Sequence, residues 1–182
     1  MAAPDEQLML AYAGGDAAAF DTLYGRHKGP LFRYVARSVK ARGEAEEIYQ
    51  EIWMRVVEAR SRYRPEAKFT TWLYTIAHNR MVDHWRAKGL VLVSRDDEDA
   101  AQPEAAAAPD AEPHRVMEAR ETLARLAAAV AALPPAQREV FLLRVEADLT
   151  VPEIAAATGS DEEAAKSRLR YAMNKLREAI DE

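Results

Sequence analysis

Thr71, Thr75, His78, Asn79, Val82 and Arg86 recur at spacings that, at about 100° per residue, set them on one arc of a helix. Phe69, Leu73, Ile76 and Ala77 fall on a second arc, expected to face a core. Hydroxyl, imidazole, amide and guanidinium groups on the first arc donate to base edges and phosphates. Trp72, Tyr74 and Trp85 add planes on which an unstacked base can lie. Just upstream, Arg60, Arg62, Arg64 and Lys68 concentrate positive charge. This is chemistry for holding a polyanion rather than for making bonds. The same pattern also fits a plain surface helix whose aromatics are core, so the rest of the chain must decide.

The 182 residues suffice for one ordinary domain or two small ones, and 49% hydrophobic with 30% charged side chains is a soluble, foldable composition. No apolar run approaches the roughly 18 residues a membrane span needs, so no membrane insertion is expected. The acidic N-terminus does not read as a secretory signal. Cysteine is absent, which rules out disulfides and thiolate metal sites and fits a reducing cytoplasm. A net charge of −5 is unusual for a nucleic-acid binder until it is divided along the chain. Residues 1–87 hold 13 basic and 11 acidic side chains, residues 88–113 hold 2 and 7, and residues 114–182 hold 10 and 12. The middle segment carries the acid excess. A second basic cluster, Lys166, Arg168, Arg170, Lys175 and Arg177, stands near the C-terminus.

Several helices must position these groups. Residues 5–13 read as a short helix closed by Gly14-Gly15, with Asp16 as N-cap of the next. From Ala17 to about Lys40 the apolar spacing is helical, with Gly29-Pro30 expected to kink or break it. Residues 44–60 form another helix, with Ile48, Ile52, Val56 and Ala59 as its buried stripe. Glu47, Gln50, Glu51, Met54, Arg55 and Glu58 gather on a different face, either a solvated strip or a docking face anchored by Met54 and Trp53. Between Gly89 and Pro113 composition shifts to seven alanines, three prolines and seven acids, the signature of a flexible acidic linker. Beyond it lie helices over 115–133 and 137–146. Thr150-Val151-Pro152-Glu153 fits a capping box opening a short helix that ends at Gly159, and Ser160 to Glu163 fits a second opening the last helix. Two capped helices around one glycine turn make a helix-turn-helix pattern. On the last helix Ala165, Leu169, Ala172 and Leu176 point inward, while Glu163, Ser167, Arg170, Asn174 and Arg177 point outward. The expected fold is all-α: residues 1–88 and 114–182 as two small helical domains, joined by the linker at 89–113.

DAAAFDTLYGRH at 16–27, AEEIYQEIWMRV at 45–56, FTTWLYTIAHNRMVDHWR at 69–86 and LPPAQREVFLLR at 133–144, followed by LTVPEIAAATG and KSRLRYAMNKLR, resemble the extracytoplasmic-function sigma factors of bacterial RNA polymerase. The resemblance implies one domain for the −10 promoter element and one for the −35 element, with core RNA polymerase and promoter DNA as partners. Matched by position, Glu46, Glu47, Gln50 and Glu51, with Met54 beside them, fall in the stretch that docks on polymerase. Arg62, Arg64, Lys68, Thr71 and Trp72 fall in the loop that captures an extruded base. Thr75, His78, Asn79, Arg80, Asp83, His84 and Arg86 fall on the −10 helix, and Glu163, Lys166, Ser167, Arg168, Arg170 and Asn174 on the −35 helix. The resemblance further implies an anti-sigma factor as partner, a monomer when free, a bacterial cytoplasmic location, no cofactor, no metal and no catalysis.

The family's usual Gly-Thr pair before Lys-Ser-Arg is replaced here by Glu163-Ala164. An acid there suits the helix dipole and repels phosphates, yet can accept from cytosine N4. A stand-alone helix-turn-helix regulator explains residues 150–180 but not the acidic face or residues 60–86. A metal hydrolase built on Glu47, His78, Asp83 and His84 lacks the H-E-x-x-H spacing.

Overall fold

Asp16 opens the longest N-terminal helix by accepting from the backbone N–H groups of Ala18 and Ala19 at 3.0 and 3.3 Å. That helix, α2 (Ala17–Ser38), follows α1 (Asp5–Ala13) and precedes α3 (Arg42–Ala59), a 3-10 turn at Arg60–Arg62 and α4 (Phe69–Ala87). The C-terminal group holds α5 (His114–Ala132), α6 (Pro135–Glu146), α7 (Val151–Thr158) and α8 (Glu162–Asp181). The computed structural model describes residues 2–90 and 114–181, among which every regular element is helical, as the all-α expectation required. The expected acidic linker lies outside the described residues, apart from its first two positions.

The expected break at Gly29-Pro30 does not occur, because α2 runs through Pro30. A proline inside a helix removes one backbone bond and costs about 3 kcal/mol. Leu31, Tyr34 and Val35, immediately after it, are fully buried. Burial stabilises by about 1.5–3 kcal/mol for each such aliphatic or aromatic side chain, so packing of this face outweighs the missing bond.

In the N-terminal bundle Met9, Leu23, Leu31, Ile48, Ile52, Phe69, Leu73 and Met81 are buried together. The buried face of α4 is wider than its apolar spacing suggests. Tyr74 and Trp85 join Leu73 and Ala77 inside, whereas Ile76 is only half-buried. Helix α1 is tied down by polar contacts as well as packing. Arg26 and His27 meet Asp5 at 2.6 Å each, and Glu6 accepts from the Phe69 N–H at 2.7 Å. Lys68, the residue before α4, supplies no side-chain cap, so Glu6 takes that role from a distant part of the sequence.

In the C-terminal group Pro135 occupies the first turn of α6, where its missing N–H costs nothing. Arg138 donates to the carbonyls of Val130, Ala131 and Leu133 and thereby closes the end of α5. The capping box of α7 is formed in both directions: Glu153 N–H donates to Thr150 Oγ1, and Thr150 N–H donates to Glu153. Gly159 ends α7 at φ 62°. The second capping box is not formed as expected. The Gly159 turn uses Ser160, whose N–H donates to the Ala155 carbonyl and whose hydroxyl meets Thr158. Asp161 caps instead, accepting from Ala164 N–H at 2.7 Å. Across the two groups, α6 packs on α2 and α7 on α4.

Candidate nucleic-acid and partner interfaces

Helix α3 buries Ala45, Ile48, Ile52 and Val56 and thereby turns Glu46, Glu47, Gln50 and Met54 outward. Met54 is 58% exposed in the middle of this acidic face. Glu46 meets Arg42 one turn earlier at 3.1 Å, an exposed pair of little energetic consequence. Two residues depart from the expected strip. Glu51 turns toward Arg80 of α4, whose hydrogen bond holds its carboxyl below the usual range. Trp53 is no surface anchor: it is buried against Tyr24, 5.0 Å between ring centroids, with Phe20 edge-on at 5.9 Å.

Arg62 and Arg64 flank the buried Tyr63, so the alternation sends both guanidiniums outward. Neither has an ion-pair partner among the described residues. Tyr63 packs edge-on against Trp72 at 4.9 Å, and burial pushes its phenol up to about 12. Of the three aromatic planes expected for a base, Trp72 alone reaches the surface. Tyr74 and Trp85 are 1% and 3% exposed, because α4 needs both to fill the bundle.

Several −10 candidates on α4 are already engaged. Thr71 is buried, and Thr75 donates back to the Thr71 carbonyl at 2.8 Å. Arg80 meets Glu51, Asp83 accepts from Arg55 at 3.3 Å, and His84 lies 4.0 Å from Glu44. Burial pushes the His84 imidazole down, against the opposing pull of Glu44. With His78 directed elsewhere, Glu47, Asp83 and His84 form no metal-binding group. Asn79 and Arg86 remain exposed. Asn79 joins Arg55, Glu58, Ala59, Arg62 and Ile76 around a cleft of about 250 Å³ between α3 and α4.

On α8, Glu163, Lys166, Arg170 and Asn174 are exposed, while Ser167 and Arg168 are half-buried. The buried Ala165, Ala172 and Leu176 hold that face outward. Leu169, expected inside with them, is half-buried. Since Asp161 is the cap, the Glu163 side chain has no hydrogen bond among the described residues.

A set of residues that spacing did not single out lies between the two helical groups. Glu139 of α6 is 3% exposed, and its Oε1 accepts from Tyr34 Oη at 2.8 Å and lies 2.7 Å from His78 Nδ1. Burial, then the Glu139 carboxylate, pushes the Tyr34 phenol well up, so it stays a donor. Glu146 meets both Arg33 and Arg37, and Glu153 meets Lys68 at 2.8 Å. One signal was readable: Glu139, Leu142, Leu143 and Glu146 follow the i, i+3, i+4, i+7 spacing of a buried stripe, so acids stood where a core was due.

Known proteins match this arrangement. The Sigma-70 region 2 family model matches residues 23–90, and the Sigma-70, region 4 model matches residues 123–176. The chain is 33% identical over 175 residues to RNA polymerase sigma factor CarQ of Myxococcus xanthus, covering 96% of each. It is 34% identical to ECF RNA polymerase sigma factor RpoE of Cereibacter sphaeroides, covering 90% of this chain and 87% of that one. Among solved structures, CnrH in complex with the cytosolic domain of CnrY matches at a TM-score of 0.69 and 25% identity over 97% of each chain. Both helical groups are included in that match.

Proposed function

This chain belongs to the extracytoplasmic-function sigma factors of bacterial RNA polymerase, and on that premise we propose how its residues divide the work. As a sigma factor it directs core polymerase to particular promoters. Residues 1–88 form the domain that binds polymerase and reads the −10 element; residues 114–182 form the domain that reads the −35 element. Glu46, Glu47, Gln50 and Met54 dock on the polymerase, with Glu51 at the edge of that contact. Arg62, Arg64, Lys68, Thr71 and Trp72 hold the displaced strand. Thr75, His78, Asn79, Arg80, Asp83, His84 and Arg86 read or position it. Glu163, Lys166, Ser167, Arg168, Arg170 and Asn174 enter the −35 major groove.

The observation that carries this reading is the exposed strip on α3. Among the described residues Glu47 and Gln50 have no side-chain partner and Met54 is exposed, on a helix whose neighbouring residues, Glu51 and Arg55, are already paired with α4. A stand-alone helix-turn-helix regulator accounts for α7 and α8 but gives that strip no role.

No covalent step is assigned to any residue. Arg and Lys contacts to phosphates set position and a salt-dependent affinity. Promoter opening costs unpairing and unstacking, and capture of an extruded base beside Trp72 offsets part of that cost. With a net charge of −5, binding to DNA is weak until polymerase is present. An anti-sigma factor holds the chain in the bacterial cytoplasm until a signal releases it, and the released chain is a monomer. Among the described residues no helix is long and apolar enough to cross a membrane.

Run-off transcription with core polymerase, with and without this chain, on genomic fragments including its own upstream region tests the reading. New start sites that vanish for Gln50→Ala or Asn79→Ala are the expected result. No polymerase binding and no new transcripts, from folded protein, overturn it.

A further inference from the structure

No regular element holds residues 63–68, between the 3-10 turn at Arg60–Arg62 and the start of α4. Yet Arg62, Arg64, Lys68 and Trp72, in and beside this stretch, are the groups assigned to the displaced strand. A loop that must become ordered on capture loses conformational entropy at that moment, and a loop already held does not. The hold comes from α1, a helix to which the proposed function gives no role. It meets the loop at three points. At the entry, the Arg60 guanidinium carbon lies 5.6 Å from the centroid of the Tyr12 ring. In the middle, Tyr63 is buried within reach of the fields of Glu6 and Asp5, which add to burial in raising its phenol. At the exit, Glu6 accepts from the Phe69 N–H at 2.7 Å.

The acids of α1 hold the loop without neutralising it. Asp5 is engaged by Arg26 and His27 at 2.6 Å each, and Glu6 by the Phe69 backbone. Among the described residues neither carboxylate pairs with Arg62 or Arg64, so both guanidiniums stay available for phosphate. The same contacts fix the aromatic plane. Phe69, whose N–H Glu6 binds, and Tyr63 lie 5.8 and 4.9 Å from Trp72 between ring centroids. His27, held by Asp5, meets the Phe69 ring at 5.2 Å. Met9 is the one buried side chain of α1, and the polar contacts fix the helix against the loop.

We infer that α1 positions the capture loop: Glu6, through the Phe69 N–H, and Tyr12, through Arg60, hold its two ends in the shape that presents Arg62, Arg64 and Trp72 to an extruded base. The inference rests on the assignment of that loop to strand capture. Glu6 and Tyr12 act through the loop rather than on DNA, so they are positioning residues. Their hold matters most while the duplex opens, because capture then offsets unpairing and unstacking. Where the strands are already apart, a looser loop matters less.

The test is run-off transcription by core polymerase with the full chain, on one promoter in two forms. One form is fully paired; the other carries template-strand mismatches that keep the −10 region open and leave the non-template sequence intact. Glu6→Ala is expected to lower transcription from the paired form about tenfold and from the open form by about twofold at most. Tyr12→Leu is expected to act in the same direction. Glu6→Gln and Tyr12→Phe keep the acceptor and the ring, and are expected to stay within about twofold of wild type on both forms. All four variants are expected to retain binding to core polymerase. Equal losses on the two forms signify a general folding defect and overturn the inference. So do wild-type levels from Glu6→Ala and Tyr12→Leu on the paired form, or a loss in Glu6→Gln as large as that in Glu6→Ala. Arg62→Ala and Trp72→Ala separate the two levels of failure: if they too leave the paired form unaffected, the capture assignment falls and this inference with it. A wild-type chain silent on both forms overturns the proposed function as a whole.

Discussion

Glu163 stands exposed on the first turn of α8 with no side-chain hydrogen bond among the described residues, because Asp161 has taken the cap it was expected to share with Ser160. A free carboxylate at that place repels phosphates and accepts from cytosine. Replacing it with glutamine removes the charge and keeps an acceptor. Glu163→Gln is therefore expected to shift preference among −35 variants about fivefold, an effect on the order of 1 kcal/mol, with polymerase binding unchanged. Transcription from a set of single-base −35 variants measures it. Glu6 is a second residue with a distant consequence. It accepts from the Phe69 N–H at the start of α4, next to the loop that carries Arg62 and Arg64. Glu6→Ala leaves that N–H without its partner and is expected to cost about 1 kcal/mol, read as a lower midpoint in urea denaturation. Its partner is far away in the sequence, so helix spacing gave no hint of it.

The unit of α7 and α8 depends on one backbone conformation and one reciprocal cap. Gly159 sits at φ 62°, where a side chain is strained even though open space surrounds it. Gly159→Ala is expected to destabilise by about 1 kcal/mol through the backbone alone, and to alter the angle at which α8 is presented. Thr150→Ala removes the acceptor for Glu153 N–H at the other end of α7, again at a cost of about 1 kcal/mol. Denaturation midpoints test both, and a double variant tests whether the two ends of this helix act independently. Both devices are local, involving residues within a few positions of each other. For that reason the turn, the first capping box and the register of the outward face of α8 were legible in the sequence, while the second box failed once the turn consumed Ser160.

Carboxylates lie at the contact between the two halves beside its apolar packing, and they make it respond to pH. The Lys68 hydrogen bond, followed by that from the Thr150 backbone, holds the Glu153 carboxyl below the usual range, and Glu153 in turn raises Lys68. A depressed carboxylate value in the folded chain gives a stabilisation that is complete above the unfolded value and lost as pH falls through the folded one. A raised lysine value gives one that is complete below its unfolded value and lost as pH rises through the folded one. The α4–α7 contact is therefore at full strength around neutrality. The distance between α3 and α8 is expected to stay constant there and to lengthen below about pH 4, before helical circular dichroism is lost. Raising salt at pH 7 is expected to weaken the exposed pairs in the same direction.

By itself the sequence determined the helices, their order and the division of charge, because periodicity, caps and glycine stops act between residues close together in the chain. It also determined the family, because several motifs recur in order across most of its length. The positions of Glu47, Gln50, Met54 and Asn79 at the surface followed from the same spacing. Only the tertiary structure decided which members of a face stay available. Tyr74 and Trp85 widen the buried face of α4, and Trp53 borders the exposed face of α3 yet is buried, since filling the bundle takes large aromatic side chains beyond the apolar stripe of any one helix. Pro30 does not break α2, because the fully buried Leu31, Tyr34 and Val35 hold the helix together. Glu139 is decided last. One carboxylate meets a tyrosine 105 positions away and a histidine 61 positions away, a relation that exists only once both helical groups have folded and met.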